Sequence, residues 1–349
     1  MVNPTSVLSL AALATVAVPE LEVESLCPPS GADEDFCWTG VLDTRSHRWT
    51  VLMAQHDEAA EALEKQQKIL TMLGNYQSAH RLPFEVPHVE GKASSAAGHP
   101  AIVYRQLPGN PLDFNDLEID SELPYAVGRA IAALHEIQPN LVEHVGFPVP
   151  TVAEIRAEMS DKLDAASQTG LVPGILQARW QQALDEDAWW HFHPTFVHGA
   201  LSEDTVLTAD SRVLGILDFA HVSVGDPARD LAWLVTQLTD EVTDRIFDAY
   251  HIGRTYGTDS FLRQRTELYG EFGLVDWLNW GLKHGDAAII ADAQDLMDEQ
   301  LNRLDGNYSL TGHTFEDLET DTIALEPPVT PTPHPSDSAS QLGADGEDS

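Results

Sequence analysis

The chain has 349 residues, 43% of them hydrophobic, which is enough to bury a sizeable core in one large or two modest domains. Its 19 Lys and Arg residues stand against 56 Asp and Glu residues, giving a net charge of −37. A surface of this sign repels nucleic acid and anionic membranes, so we expect neither as a general partner. A phosphorylated ligand would need a locally positive or metal-neutralised pocket.

The cysteines and the N-terminus bear on location. Cys27 and Cys37 form no CxxC motif and no second ligand pair accompanies them, so neither a disulfide framework nor a zinc site is predicted. A reduced, cytoplasmic location is the simple interpretation. Residues 1–21 contain an apolar run, but no Lys or Arg precedes it, which favours an N-terminal helical segment over a signal peptide. No run reaches the roughly 18 to 20 apolar residues of a membrane span.

Residues 22–107 are predicted to form a small strand-rich lobe with one helix. Leu63, Leu70 and Leu73 recur at helical spacing within residues 56–73, which predicts that helix. The strand-like runs are 36–44, 47–54 and 100–107. Pro and Gly residues between 105 and 116 then predict a hinge.

Residues 108–310 are predicted to form a mainly helical lobe, and residues 311–349 a disordered tail. Helical periodicity recurs at 123–137, 152–166, 173–190 and 242–253. The tail contains nine acids and neither Lys nor Arg, and it is rich in Pro, Ser and Gly. Such a segment cannot bury enough apolar surface to order itself.

The stretch from Phe196 to Leu234 carries the residues that point to chemistry. Apolar runs at 206–208 and 213–219 flank the turn 209–212, which predicts a β-hairpin. Asp218 ends the second run. Phosphoryl transfer needs oxygen ligands for Mg²⁺ beside a proton-accepting carboxylate, so Asp218 is a candidate metal ligand; the alternative is a plain strand-end cap.

At this point the sequence resembles the aminoglycoside and macrolide phosphotransferase family, over roughly residues 8–304. Four segments occur in the family's order and spacing: "ALHEI" at 133–137, "VHGAL" at 197–201, "GILDF" at 215–219 and "GDPARDLAWL" at 225–234. The resemblance implies an α+β, two-lobed protein-kinase-like fold with a small strand-rich N-lobe and a larger, mainly helical C-lobe. It also implies ATP and Mg²⁺ as cofactors and a small-molecule hydroxyl as phosphate acceptor.

The resemblance assigns roles to individual residues. His198 fits the catalytic loop, Asp218 falls on the metal-binding aspartate, and Leu107 falls in the hinge beside the nucleotide. Asp226 and Asp230 match acids that brace this region, and by position they also cap the helix that starts at Pro227.

Four departures from the family pattern fall on its chemistry. Ala200 stands where the catalytic aspartate would be, and a methyl group cannot accept a proton. Thr205 stands where a second metal ligand is expected. The Lys or Arg that would hold the phosphates is replaced by Leu52 or Met53, of which we favour Met53, and its Glu partner maps to Gln66. An amide is tolerable there once the cation is gone, since an unpaired buried charge is costly.

A neighbouring acid offers a rescue of the lost carboxylate. Glu203 or Asp204 could move toward the cleft, or Asp204 could replace the missing metal ligand. The alternative, which we favour, is a solvated turn in which Ser202 caps a helix. His191, His193 and His221 are expected to be ordinary surface or packing residues.

The sequence therefore favours a catalytically degenerate phosphotransferase-fold protein that acts as a binding or scaffolding module. Its partner would be a small molecule or a protein, and we expect ATP binding to be weak or lost. The alternative is an active ATP-dependent phosphotransferase that uses Asp218 and a displaced Asp204 or Glu203. A third hypothesis is that the acidic tail recruits a basic partner while the lobes form a platform.

Overall fold

A computed structural model describes residues 7–147, 149–306 and 309–311. The acidic tail predicted after residue 311 lies outside these residues. The N-terminal part is built around a sheet and the C-terminal part is mainly helical, so the α+β, two-lobed fold expected from the sequence is confirmed. Among the described residues, every helix is too short or too polar to span a membrane.

The N-lobe is an antiparallel five-stranded sheet with one helix on each face. The strand order is β1-β2-β3-β5-β4. The elements are α1 (Val7–Ala17), β1 (Val23–Ala32), β2 (Phe36–Asp43), β3 (Arg48–Ala54), α2 (Asp57–Ser78), β4 (Val89–Ser94) and β5 (Pro100–Arg105). Both edge strands escaped the sequence analysis, because β1 contains Pro28-Pro29 and β4 has few apolar residues.

Side-chain alternation gives the sheet two buried faces. Val51 and Met53 point from β3 toward α1, where they pack in a cluster with Leu10. Leu52 points the other way and packs beside Leu63 of α2. Both faces are apolar because each is covered by a helix, so the alternation in β3 does not reveal which face lines the cleft.

The C-lobe combines helices with two small sheets. Its elements are β6 (Asn110–Pro111), α3 (Leu123–His135), α4 (Pro139–His144), α5 (Val152–Ser167), α6 (Gly174–Asp185), β7 (Thr195–Val197), β8 (Val206–Ala209), β9 (Arg212–Ile216), β10 (Ser223–Gly225), α7 (Ala232–Val235), α8 (Asp240–Gly253), α9 (Leu262–His284) and α10 (Ala287–Leu304). The predicted hairpin is β8 and β9, and Asp210 and Ser211 form its turn with positive φ angles of 51° and 56°. Such angles suit the tight turn that joins two hairpin strands.

Two apolar clusters hold the C-lobe. In the first, α3 packs against α8 so closely that a β-carbon on Gly128 would lie 2.3 Å from the carbonyl oxygen of Ile246. The same cluster includes Phe219, which packs with Leu70 and Leu73 of α2. The second cluster joins α5, α6, α9 and α10 around the buried Trp180. The segment after Asp218 is therefore fixed between α2 and the C-lobe core.

Candidate active site

The candidate site is formed by the segment after β9 and the loop between β7 and β8. Asp218 lies two residues beyond β9 in a left-handed conformation, with φ 59° and ψ 67°. A non-glycine residue in this region is strained, and such strain concentrates at functional positions. The predicted hairpin therefore delivers the Asp218 carboxylate to the loop that contains Ala200.

His198 locks the loop to the hairpin. Its Nε2–H donates to the carbonyl oxygen of Leu217 at 2.8 Å, and its Nδ1 accepts from the backbone N–H of Ala200 at 3.3 Å. The side chain is buried, and burial lowers the pKa of the imidazole, so it stays neutral. Both ring nitrogens are engaged, which makes His198 a positioning residue.

The Asp230 carboxylate stabilises the same loop by accepting hydrogen bonds from its backbone. Its Oδ2 accepts from the His198 N–H at 2.6 Å, and its Oδ1 accepts from the Gly199 N–H at 2.8 Å. Oδ2 also accepts from His135 Nε2 at 3.1 Å, and His135 Nδ1 accepts from the Tyr250 hydroxyl at 2.7 Å. Burial acts to raise the pKa of Asp230, but these hydrogen bonds outweigh it and leave the pKa lowered.

A second buried network supports the brace. The Arg265 guanidinium bonds Asp226 Oδ2 at 2.7 Å, Asp259 Oδ1 at 2.7 Å and the Trp189 carbonyl oxygen at 2.9 Å. Asp226 Oδ1 also accepts from the Ala228 N–H, so it caps the short helix Pro227–Asp230 as its position predicted. The loop scaffold is thus intact.

The position that the resemblance assigns to the catalytic aspartate carries no functional group. Ala200 is partly exposed and offers only its methyl group. Gly199 before it has φ +83°, and a β-carbon there would lie 2.4 Å from the carbonyl oxygen of His221. The same β-carbon would lie 3.5 Å from Arg229 Cζ, so a guanidinium lies beside the loop. The loop can therefore keep its shape only with glycine before Ala200.

The proposed rescue acids stay at the surface. Glu203 and Asp204 are exposed, and no ion pair among the described residues involves either side chain. The Thr205 hydroxyl accepts from the Ser202 N–H at 2.9 Å and donates to the Ser202 carbonyl oxygen at 3.1 Å. The turn leads into β8, so the expected helix cap by Ser202 is wrong: strand pairing follows, and Thr205 stabilises the turn. Its hydroxyl is committed locally and is poorly placed to bind a metal.

The structure distinguishes Met53 from Leu52, the two candidate positions for the phosphate-binding Lys or Arg of the family. Met53 faces α1 and lies within the N-lobe core, so it cannot occupy the cleft side of β3. Leu52, the second candidate, shares the α2 face of the sheet with Tyr104. Gln66 of α2 is buried, and its Oε1 has no hydrogen-bond partner. Of the two candidate positions, only Leu52 faces α2, the helix that also carries the buried Gln66.

Tyr104 lies on this face, close enough to Asp218 for the negative charge of that residue to act on its hydroxyl. Burial raises the pKa of Tyr104 to about 12, and the negative charge of Asp218 contributes in the same direction, while a hydrogen bond with Thr50 opposes it. Thr50 is paired with Tyr104 across β3 and β5. The N-lobe face toward Asp218 therefore presents two hydroxyl side chains and Leu52.

The loop between β1 and β2 binds two of its own backbone donors through the Asp33 carboxylate. Asp33 Oδ1 accepts from the N–H groups of Asp35 at 2.9 Å and Phe36 at 2.6 Å. Asp35 in turn bonds His56 Nε2 at 2.9 Å. Loop N–H groups are the donors that could hold a phosphate, and here a carboxylate of the chain takes that place. The pattern Asp-Glu-Asp at 33–35 is the sequence signal for these bonds from backbone to side chain, which the sequence analysis did not predict.

The hinge closes against the hairpin. Leu107 Cδ1 lies so near β9 that a β-carbon on Gly215 would approach it to 2.8 Å. Gln106, the residue before Leu107, donates through Nε2 to the carbonyl oxygen of Pro28 at 3.0 Å. Leu107 therefore packs against β9 of the C-lobe.

The residues present do not fit ATP with Mg²⁺. Asp218 remains as an oxygen ligand, but the second ligand position holds Thr205, whose hydroxyl is bonded to the backbone of Ser202. A nucleotide also needs a cation and free loop N–H groups for its phosphates, and these positions hold Leu52 and the Asp33 carboxylate. His191 and His193 are exposed beside the buried Trp190 and Phe192, as expected of a packing segment.

The fold and the order of these loops define the kinase-like class of phosphotransferases. The chain matches the model of the phosphotransferase enzyme family over residues 28–269, more than half of its length, and it belongs to that family. Among curated relatives, viomycin phosphotransferase of Streptomyces vinaceus is 30% identical over 211 residues, which cover 58% of this chain and 71% of the relative.

A second relative and two solved structures complete the comparison. The uncharacterized protein YcbJ of Bacillus subtilis is 28% identical over 163 residues, 43% of this chain, and the match spans only 53% of that relative. Macrolide 2'-phosphotransferase MphH of Brachybacterium faecium superposes with TM-score 0.69 at 22% identity, covering 81% of this chain and 96% of that one. The GDP complex of aminoglycoside 2'-phosphotransferase-IIIa gives 0.69 at 19% identity, covering 84% and 98%. Both structures establish the fold.

Proposed function

We propose that this protein is a catalytically degenerate member of the phosphotransferase family that acts as a binding or scaffolding module. The observation that carries the proposal is Ala200 at the catalytic position of a loop whose supporting bonds are all present. The loss of a positioned general base typically costs about 10² to 10⁴ in rate. During phosphoryl transfer, the Ala200 side chain could neither orient the acceptor hydroxyl nor accept its proton.

The nucleotide side supports the same proposal. Leu52 supplies no charge, and Asp33 already satisfies the loop N–H groups that could bind a phosphate. Known family structures hold nucleotides, as the GDP complex does. In this chain, Asp218 is negative while Leu52 and Gln66 are neutral, and a net charge of −37 repels ATP overall.

The alternative is an active ATP-dependent phosphotransferase that uses Asp218 with Asp204 or Glu203. It requires a movement of the 202–205 turn, which is held by Thr205 and by a bond from the Leu112 N–H to the Glu203 carbonyl oxygen at 2.9 Å. We favour the degenerate protein because each of these bonds would have to break. The cytoplasmic location stays a prediction from the sequence.

Calorimetric titration with ATP and Mg²⁺ tests the proposal. The unaltered chain is expected to give no saturable heat, and Leu52→Lys with Ala200→Asp is expected to restore part of the binding. Leu52→Met, which adds no charge, is the matched control. Micromolar binding of ATP by the unaltered chain would contradict the loss of the nucleotide site, and turnover after Ala200→Asp alone would show that only one group is missing.

A further inference from the structure

Arg229 is an exposed arginine beside the loop of the candidate site, and no step of the proposed function uses it. A β-carbon on Gly199 would lie 3.5 Å from Arg229 Cζ and 2.4 Å from the carbonyl oxygen of His221. The guanidinium therefore lies beside the residue that precedes Ala200. Since the Arg229 side chain is otherwise exposed, a ligand bound at the loop can reach it.

The Arg229 guanidinium has no counter-charge among the described residues. Acids outnumber bases in this chain by 56 to 19, yet within the part that the structure describes no ion pair or hydrogen bond involves the Arg229 side chain. Ala200, the residue after Gly199 in the loop, adds no carboxylate. The five N–H donors of the guanidinium are therefore left for water or for a ligand.

Tyr269 of α9 carries a second polar group without a partner. α9 approaches α7 closely here, because a β-carbon on Gly270 would lie 3.5 Å from the carbonyl oxygen of Ala232. The Tyr269 ring packs against both apolar clusters of the C-lobe, but its hydroxyl makes no hydrogen bond with any described residue. A partly buried hydroxyl of this kind is a donor available to a ligand.

The charge of Arg229 acts on the Tyr269 hydroxyl, so the two side chains lie near each other. Burial raises the pKa of Tyr269 well above its usual range. The charges that act on it most are those of Asp226, Arg229, Arg265 and Glu158. Asp226 and Arg265 pair with each other at 2.7 Å, and Glu158 is paired within α5 at 3.3 Å. Arg229 is therefore the member of this group that lacks an opposite charge among the described residues.

We propose that Arg229 and Tyr269 bind the carboxylate of a small-molecule ligand beside the Ala200 loop. A guanidinium holds a carboxylate through two parallel N–H bonds, and the phenol hydroxyl can donate a third bond. One cation balances one negative charge, so a carboxylate fits this pair better than a phosphate ester, whose charge is close to −2.

This inference deepens the proposed function by giving the binding module a class of ligand, and it rests on that proposal for the view that the loop binds rather than catalyses. The carboxylate site is formed by C-lobe residues, whereas the nucleotide positions at Leu52 and Asp33 belong to the N-lobe. ATP titrations and carboxylate titrations can therefore fail independently.

The test is NMR titration of benzoate into the full chain at physiological salt, with benzamide as an uncharged probe of nearly the same shape. Saturation-transfer signals of benzoate should reach a plateau, and benzamide should bind about tenfold more weakly. Arg229→Gln should weaken benzoate binding about tenfold, and Arg229→Lys should fall between, because lysine keeps the charge without the paired donors. Tyr269→Phe should weaken it about fivefold, since one hydrogen bond is lost.

The matched control is Arg212→Gln, which removes the same charge from an exposed position at the turn end of β9 and should leave the affinity unchanged. Equal affinity of Arg229→Gln and the unaltered chain would overturn the proposal. Equal binding of benzoate and benzamide, or no saturable binding of benzoate, would overturn it as well. Tighter binding of phenyl phosphate that also requires Arg229 would assign the site to phosphate esters instead. Circular dichroism of each variant verifies that the fold is retained.

Discussion

Replacing Asp230 by Asn tests whether the loop brace stabilises the protein as the contacts indicate. The carboxylate accepts from the His198 N–H and His135 Nε2 in buried bonds and from the Gly199 N–H in a partly buried one. An Asn side chain has one acceptor oxygen, which would keep the two bonds at the Oδ2 position. Its NH₂ group would then face the Gly199 N–H, donor against donor.

The magnitude follows from those contacts. The lost bond to a charged acceptor contributes about 1.5 to 3 kcal/mol, and the unsatisfied Gly199 N–H adds about 1 to 3 kcal/mol. We therefore expect Asp230→Asn to lower the free energy of unfolding by about 3 to 5 kcal/mol.

Urea unfolding, followed by circular dichroism and by tryptophan fluorescence, measures the effect. The matched control is Asp240→Asn, because Asp240 is 91% exposed and pairs with Arg263 at 3.0 Å. Exposed pairs contribute about 0 to 1 kcal/mol, so the control should remain close to the unaltered chain. Equal stability of the two variants would refute the claim that Asp230 is the buried brace of the loop.

Three other substitutions give separate checks. Gly199→Ala should destabilise the protein by about 2 to 4 kcal/mol in urea unfolding, because its β-carbon would collide with the His221 carbonyl oxygen at a positive φ; a neutral effect would show that the loop relaxes freely. Burial acts to raise the pKa of Asp43, but hydrogen bonds led by that from Trp49 lower it from 3.8 to about 2. Its ionised form therefore stabilises the protein above about pH 4 and loses that effect as the pH falls toward 2, so the difference in unfolding free energy between the unaltered chain and Asp43→Asn should shrink across this window; a constant difference would contradict the shift. Thr151→Ala removes the capping box of α5 and should cost about 1 kcal/mol, measured by thermal unfolding against Thr239→Ala, an exposed N-cap residue of α8 whose side chain makes no capping bond.

Local patterns in the sequence predicted most of the fold that supports the site. The periodicity at 56–73 predicted α2, observed at Asp57–Ser78, and the apolar runs around residues 209–212 predicted the hairpin of β8 and β9. These elements have one strongly patterned side or a tight turn, so their neighbours in sequence determine them. Asp226 capping was predictable for the same reason.

The contacts of the site depended on residues far apart in the sequence. The alternation in β3 does not separate Leu52 from Met53, because both faces of the strand are apolar. Only the packing of Met53 against α1 shows that Leu52 is the residue that faces α2. The engagement of both nitrogens of His198 requires the position of Leu217, which no spacing rule supplies. The bonds that Asp33 accepts from the N–H groups just after it are local and could have been predicted, because Asp often bonds the backbone two residues on in a turn.

The most direct test of the central claim is ATP consumption by the purified, unaltered chain with Mg²⁺, in the presence and absence of aminoglycoside and macrolide acceptors. The matched control is Asp218→Asn, which removes the family's metal-binding carboxylate while keeping its size. The account predicts that both proteins consume ATP at the same background rate with every acceptor. An acceptor-dependent rate in the unaltered chain that disappears in Asp218→Asn would contradict it.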